Sequence, residues 1–121
     1  MTSTRTPPGT RYARAHGLFD AGEYGAAAAV LAELATEIGE SATTTGGPTT
    51  GDAVAVRLLL ARAYYHSAQL RRAEAQARAV LDADPANAYA HLLLGRTLER
   101  LSRHAEARGP LRLAEAMGVS R

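Results

Sequence analysis

Apolar side chains recur every three or four residues along most of the chain, which is the spacing of helices that bury one face. In the stretch from Tyr24 to Ile38, for example, apolar residues share one helical face. Gly22 interrupts the pattern that precedes this stretch. The pattern predicts six α-helices and no strand, at about Thr10–Ala21, Tyr24–Ile38, Ala53–Ser67, Leu70–Ala83, Ala88–Leu101 and His104–Met117.

Local chemistry places the ends of several helices. The residue before a proline is disfavoured in a helix, so Asp84-Pro85 ends the fourth helix. Asp52 and Asn87 can accept the free N–H groups at the start of the third and fifth helices. Pro110 lies inside the sixth helix, where it removes a backbone donor, and it predicts a kink there.

Two segments lack apolar anchors. Residues 1–8 are rich in Thr and Pro and predict a disordered leader. Residues 39–52 are rich in Gly and Thr and predict a flexible loop. The remaining residues, 9–117, are predicted to form one domain, since 121 residues are too few for two.

The residue types exclude several classes of protein. There is no cysteine, so disulfides, thiolate metal sites and thiol catalysis are excluded. No apolar run reaches membrane-spanning length, and the N-terminal residues lack the apolar segment of a signal peptide. We therefore expect a cytoplasmic protein that does not enter a membrane.

Charge is distributed unevenly along the chain. All 14 basic residues are arginine, and the net charge is +2. Most of these arginines follow residue 54, which suggests an acidic partner or nucleic acid. A solvated helical surface rich in arginine is the simpler interpretation, because no block of like charges is present.

The helical pattern repeats. A shift of 34 residues places Leu60-Ala61 on Leu94-Gly95 and Ala73 on Ala107. Ala27 precedes Ala73 by 46 residues, so an insertion of 12 residues separates the first copy from the second and falls in the Gly/Thr loop. A fixed period of this length is typical of helical repeats that stack on one another.

At these positions the chain resembles the tetratricopeptide repeat, in three copies at about 9–40, 54–87 and 88–119. The resemblance rests on Leu60-Ala61, Tyr64, Ala68, Ala73 and Pro85, on Leu94-Gly95, Leu98, Ala107, Leu111 and Ala114, and on Ala15, Leu18, Tyr24, Ala27, Leu31 and Leu34. It implies an all-α fold in which antiparallel helix hairpins stack as a short right-handed α-solenoid of six helices. In this fold Ala61 and Gly95 lie where the two helices of a hairpin touch. An unrelated helical bundle is the alternative.

The resemblance also implies a peptide-binding groove lined by the first helix of each repeat. Arg62, Arg96 and Arg100 would then favour an acidic ligand, unless Glu99, Glu106 or solvent neutralises them. The family's lysine-rich clamp for chaperone tails is not matched, so that ligand is not expected. The predicted groove residues are Tyr12, His16, Phe19, Leu58, Arg62, Tyr65, His66, Tyr89, Leu92, Arg96 and Arg100.

We interpret the chain as a bacterial-type interaction module, that is, a scaffold, adaptor or small co-chaperone that binds a peptide or protein segment. The sequence predicts no enzymatic activity, cofactor or metal site, because its four histidines lack ligand spacing. Self-association through the last helix is a further hypothesis, with Leu111, Ala114 and Met117 exposed. The alternatives are nucleic-acid binding through the arginine-rich C-terminal half and a regulatory fragment of a larger protein.

Overall fold

The computed structural model of the chain describes the backbone of residues 8–41 and 50–119 and the side chains of residues 9–39 and 53–119. Within these ranges all regular structure is α-helical, and no strand is formed. The six predicted helices are confirmed as α1 (Pro8–Asp20), α2 (Tyr24–Ser41), α3 (Thr50–His66), α4 (Leu70–Ala83), α5 (Ala88–Arg100) and α6 (His104–Ala116). None of these helices is both long and apolar enough to cross a membrane.

Short-range chemistry sets the ends of the C-terminal helices as the sequence predicts. Helix α4 ends at Ala83, immediately before Asp84-Pro85. At the start of α5, the side-chain oxygen of Asn87 accepts a hydrogen bond of 2.9 Å from the backbone N–H of Ala90. This bond satisfies a donor that would otherwise have no partner in the first turn.

Three predicted helix boundaries are wrong. Helix α2 continues to Ser41 and α3 begins at Thr50, so helix occupies both edges of the predicted 39–52 loop. Asp52 is therefore the third residue of α3 and not its N-cap. Helix α1 begins at Pro8, inside the predicted leader, because a proline is well tolerated at the first helical position, where its missing N–H has no partner to lose. The rest of the predicted leader and loop, 1–7 and 42–49, lies outside the described residues.

The first helix of each pair ends in the same turn. A single residue there has a left-handed backbone: φ is 83° at Gly22, 61° at Ala68 and 62° at Ser102. The next N–H in each turn donates to the carbonyl five residues before it, which satisfies an orphan carbonyl at the helix end. These bonds join Glu23 to Leu18 at 2.9 Å, Gln69 to Tyr64 at 2.8 Å and Arg103 to Leu98 at 2.9 Å.

Contacts between helices follow chain order. Each helix contacts the next, and in addition α1 contacts α3 and α3 contacts α5. Among the described residues, the backbones of α2 and α4 do not approach each other closely, and neither do those of α4 and α6. The first helices of the three pairs are therefore packed side by side, whereas the second helices are spread apart. This arrangement places α1, α3 and α5 along one continuous face.

Small residues form the closest contacts in the core. Ala27, Ala61 and Ala73 are fully buried, and Ala107 is 1% exposed, at the positions that the repeat predicts for tight helix contact. Large apolar side chains such as Leu31, Leu60 and Leu98 fill the space between them. The core thus depends on close approach of the helices rather than on aromatic bulk.

Gly95 allows the closest approach, between α5 and α6. A Cβ atom at this position would lie 2.5 Å from both Cγ and Cδ2 of Leu111 and 3.3 Å from its backbone nitrogen. One repeat earlier the equivalent residues are Ala61 and Ala77, both fully buried. In the last pair a glycine and a leucine therefore take the place of these two alanines. The leucine side chain fills the space that the glycine leaves free.

Helix α6 continues as one helix through Pro110. A Cβ atom added at Gly109 would meet no atom within 4 Å, and the lack of a side chain there relieves the steric conflict that proline imposes on the preceding residue. The predicted kink stays a prediction. The expected exposure of the last helix needs correction, because Ala114 is fully buried and Leu111 is half-buried against Gly95; the exposed apolar residues of this region are Leu113 and Met117.

The left-handed turns predict which substitutions stabilise the chain. A side chain in this conformation costs about 1–2 kcal/mol, so Ala68→Gly and Ser102→Gly should each raise the free energy of unfolding by about 0.5–1 kcal/mol once the greater chain entropy of glycine is included. Gly22→Ala should lower it by a similar amount. Urea denaturation monitored by circular dichroism measures all three. Equal destabilisation by Ala68→Gly and Gly22→Ala would contradict the shared turn.

The contact between Gly95 and Leu111 predicts a coupled pair. Gly95→Ala should lower the free energy of unfolding by about 1–3 kcal/mol, because the new methyl group overlaps Leu111. The double variant Gly95→Ala/Leu111→Ala restores the pairing found at Ala61 and Ala77, and it should lose clearly less than the sum of the two single variants. A double-mutant cycle from urea denaturation gives the coupling energy. Simple additivity would show that the two side chains do not compete for space.

Candidate functional site

Aromatic and basic side chains form a continuous cluster on α1, α3 and α5. The guanidinium carbon of Arg62 lies 4.6 Å from the ring centroid of Phe19 and 5.4 Å from that of Tyr89. One arginine on α3 therefore bridges a ring on α1 and a ring on α5. We call the cluster the aromatic–arginine face; its members are Phe19, Tyr24, Arg62, Tyr65, His66, Tyr89, Arg96 and Arg100.

His66, the last residue of α3, is surrounded by rings. Its imidazole stacks on Tyr24 with centroids 4.7 Å apart and an interplanar angle of 24°. It meets the edges of Phe19 at 5.6 Å and of Tyr65 at 5.5 Å. The turn between α1 and α2 brings Tyr24 to this position, so the first helix pair contributes two rings to the face.

Arg100, at the end of α5, is held against the end of α3. Its guanidinium carbon lies 4.9 Å from the ring centroid of Tyr65, and its Nη1 donates a hydrogen bond of 3.0 Å to the backbone carbonyl of the same residue. Carbonyl groups at the end of a helix carry partial negative charge, which a cation stabilises. This contact fixes the orientation of the guanidinium group relative to α3.

A shallow depression lies between the two ends of the face. Its volume is about 150 Å³, and its lining combines apolar and polar side chains. Leu92 and Leu93, each 5% exposed, are its most buried members. The lining residues are Tyr65, His66, Tyr89, Leu92, Leu93 and Arg96.

The face contains the same arrangement twice. Arg62 and His66 lie next to Phe19, while Arg96 lines the depression beside Tyr65, over which Arg100 lies. Arg96 follows Arg62 by 34 residues, and Arg100 follows His66 by the same interval. The two rings, Phe19 and Tyr65, are separated by 46 residues because the 12-residue insertion lies between them. Each subsite thus has one ring near the end of a first helix and two basic residues, four apart, on the next first helix.

The three arginines of the face have no carboxylate partner among the described side chains. No carboxylate among the described side chains lies within 4.0 Å of Arg62, Arg96 or Arg100. The alternative that Glu99 or Glu106 neutralises them is therefore wrong for the described residues. Arg62 also has a buried Nε without a hydrogen-bond partner. Cation–π contacts hold Arg62 and Arg100 in position but form no ion pair with them. Arg96 has no such contact and also lines a second depression, which it shares with Glu99 and Glu115.

Three arginines on other parts of the surface, Arg11, Arg78 and Arg103, have carboxylate partners. Arg11 of α1 forms two hydrogen bonds with Glu37 of α2, one of 2.6 Å. Arg103 binds Glu106 at 2.7 Å and Glu74 of α4 at 2.7 Å. Burial acts to raise the pKa of Glu74, but the hydrogen bonds from Arg103 and Arg78 outweigh it and lower that pKa overall. These pairs tie helices together and are structural.

Electrostatic repulsion within the face acts on His66. Burial lowers the pKa of its imidazole below the ordinary value of 6.5, and the charges of Arg62 and Arg100 lower it further. The imidazole is therefore neutral at neutral pH and can donate a hydrogen bond from one ring nitrogen and accept one at the other. The positive charge of the face at neutral pH belongs to its three arginines.

The other predicted groove residues lie at different depths. Phe19 is 8% exposed and Leu92 is 5% exposed, so both support the face from below and offer little surface. Tyr12 packs against His16 at 6.0 Å, and His16 lies 3.3 Å from Asp20, all within α1. Leu58 is half-buried. Tyr24 belongs to the face but was not predicted, because it opens a second helix, and only its turn directs it to His66.

The face contains the elements of a recognition surface. Within the described residues, no group of three or more His, Asp or Glu side chains could hold a metal ion. Planar guanidinium groups with free donors bind carboxylates or phosphates, and the adjacent rings offer apolar contact area. No family model, curated protein or solved structure matches the chain. The chemistry of these side chains is accordingly the basis for assigning a function.

The surroundings of His66 predict its titration. Arg62→Ala and Arg100→Ala should each raise the pKa of His66, because each removes a repelling charge. The folded pKa is below the unfolded one, so the contribution of His66 to stability is complete above about pH 6.5 and declines as the pH falls through the folded pKa. NMR titration of the imidazole measures the shift, with Arg108→Ala on α6 as the control. An unchanged pKa in both face variants would refute the repulsion.

Proposed function

We propose that the chain is a three-repeat α-solenoid of the tetratricopeptide type that binds an acidic peptide segment on its aromatic–arginine face. The proposed fold is supported by the contacts of α1 with α3 and of α3 with α5, while the backbones of successive second helices do not approach closely among the described residues. The left-handed residues Ala68 and Ser102 are one repeat of 34 residues apart, and Gly22 precedes Ala68 by 46 residues, which is the repeat plus the 12-residue insertion. Stacked pairs of this kind present their first helices on the concave side.

One observation carries the proposed function: Arg62, Arg96 and Arg100 lie together without a carboxylate partner among the described side chains. Arginines that serve only stability in this chain, such as Arg11 and Arg103, do have such partners. Unpaired guanidinium groups beside an exposed ring, Tyr89, and a half-buried one, Tyr65, suit a ligand that supplies carboxylates. Exposed arginines such as Arg71, Arg108 and Arg112 also lack a carboxylate partner among the described side chains. What distinguishes the arginines of the face is that they lie together beside aromatic rings.

Peptide binding fits the shape of the face better than catalysis does. The depression of about 150 Å³ is shallow, so it can take one side chain of a longer ligand. Interaction without chemistry, as in a scaffold, adaptor or small co-chaperone, is therefore the role we propose. A location in the cytoplasm is part of the same proposal.

The experiment compares two triple variants with equal loss of charge. In the face variant Arg62, Arg96 and Arg100 are changed to Ala; in the control variant Arg71, Arg108 and Arg112, which are exposed on α4 and α6, are changed to Ala. The probes are arrays of capped peptides with acidic, neutral or basic composition. The wild-type chain should retain acidic peptides, the face variant should lose at least about tenfold in affinity, and the control should lose less than about twofold.

Nucleic-acid binding predicts a different result from the same proteins. A single-stranded oligonucleotide should then bind better than any acidic peptide, with affinity that falls steeply with salt, and both triple variants should weaken it equally. That outcome would replace peptide binding with the alternative. Circular dichroism melting curves of both variants establish that each chain is folded before binding is compared.

A further inference from the structure

The duplication within the aromatic–arginine face constrains the spacing of acidic groups in the ligand. The first subsite contains Arg62 and His66 beside Phe19, and the second contains Arg96 and Arg100 beside Tyr65. The basic residues of the first lie on α3 and those of the second at the equivalent positions of α5. A ligand that engages both must present two carboxylates at the distance between these helices.

Helix packing gives that distance. Helices α3 and α5 contact each other directly, and helices in contact have axes about 8–10 Å apart. Equivalent side chains on the two helices are separated by the same interval, since the helix pairs repeat with the same turns and the same internal spacing. The two subsites are therefore also about 8–10 Å apart.

Few peptide conformations place like side chains on one face at this interval. A polyproline II helix rises about 3.1 Å per residue with three residues per turn, so residues i and i+3 share a face about 9 Å apart. In a β-strand, residues i and i+2 share a face at only about 7 Å, and the next on that face, i+4, lies at about 13 Å. An α-helix places i and i+4 about 6 Å apart and i and i+7 about 10.5 Å apart, on either side of this interval. The extended threefold conformation matches the subsites best.

We propose that the ligand is an extended, polyproline II-like acidic segment with carboxylate side chains three residues apart, one bound at each subsite. The inference rests on the proposed peptide binding and adds a rule about the spacing of carboxylates along the peptide. The depression at Tyr65, His66, Tyr89 and Arg96 joins the two subsites, so a residue between the two acids has space for its side chain there.

The two subsites differ in charge. At neutral pH the first has one cation, Arg62, because His66 is neutral, and the second has two, Arg96 and Arg100. The second subsite is thus the stronger anchor for a single carboxylate, and the first adds affinity only when a second acid is in register. Removal of Arg62 should therefore abolish the spacing preference while it leaves single-acid binding nearly intact.

The test uses four proline-rich heptapeptides of identical composition, each acetylated and amidated so that only glutamate side chains supply carboxylates. Their sequences are Pro-Glu-Glu-Pro-Pro-Pro-Pro, Pro-Glu-Pro-Glu-Pro-Pro-Pro, Pro-Glu-Pro-Pro-Glu-Pro-Pro and Pro-Glu-Pro-Pro-Pro-Glu-Pro, with acids one, two, three and four residues apart. NMR titration of the full chain measures each affinity. The three-residue spacing should bind about fivefold more tightly than the others, which corresponds to one added ion pair of about 1 kcal/mol.

Variants separate this rule from simple charge attraction. Arg62→Ala should make the four peptides bind equally, whereas Arg71→Ala on α4 should preserve the preference. Equal affinities in the wild-type chain, with binding still lost in the triple face variant, would overturn the spacing rule and leave acidic-peptide binding intact. Absence of binding by all four peptides and by the acidic arrays would overturn the proposed function itself.

Discussion

The left-handed residue that ends each first helix is the constraint on which the rest of the structure depends. Gly22, Ala68 and Ser102 redirect the chain in one step, and the bond from the next N–H closes the helix end. A three-residue turn leaves the second helix no course except back along the first. Because the same turn recurs, successive pairs enter the stack in the same orientation, and the ends of α1, α3 and α5 meet along one edge. Phe19, His66 and Arg100 of the face lie at or next to these ends.

Close packing then determines which residues the turn brings together. The fully buried Ala27, Ala61 and Ala73 let the helices approach until neighbouring first helices touch. At that separation Arg62 can reach a ring on each side, and Arg100 can reach the last carbonyl groups of α3. Larger residues at the contacts would separate the helices and leave these cations in water. The alanine-rich core is thus what holds unpaired charges in fixed positions.

The sequence predicts features that depend on neighbours in the chain better than features that depend on packing. The ends of α4 and α5 follow from Asp84-Pro85 and Asn87, whose effects act within one turn, and both were predicted correctly. The edges of the 39–52 segment were predicted wrongly. A composition rich in Gly and Thr lowers helix propensity, but it does not prevent extension of an established helix. Left-handed Ala68 and Ser102 also escape prediction, since glycine is the usual residue in that conformation.

The candidate site shows the same division. Its arginines were found from their spacing on first helices, but their lack of carboxylate partners could be seen only once Glu106 was placed on Arg103. Tyr24 was missed because its contact with His66 crosses from a second helix to the end of α3. Gly95 was assigned to a helix contact, yet its partner Leu111 could not be identified without the register of α6.

The position of the 12-residue insertion is compatible with a site that occurs twice in a chain whose repeats are unequally spaced. It separates the first pair from the second in sequence, yet Phe19 still meets Arg62 and His66 as Tyr65 meets Arg100. The insertion connects α2 to α3, at the opposite ends of these helices from the face, so its length does not alter the contacts of the face. Loop length changes the entropy of closure only slowly, whereas a change in the three-residue turns would move every ring. The geometry of the site is therefore carried by the turns and the small-residue contacts, which the chain keeps in all three pairs.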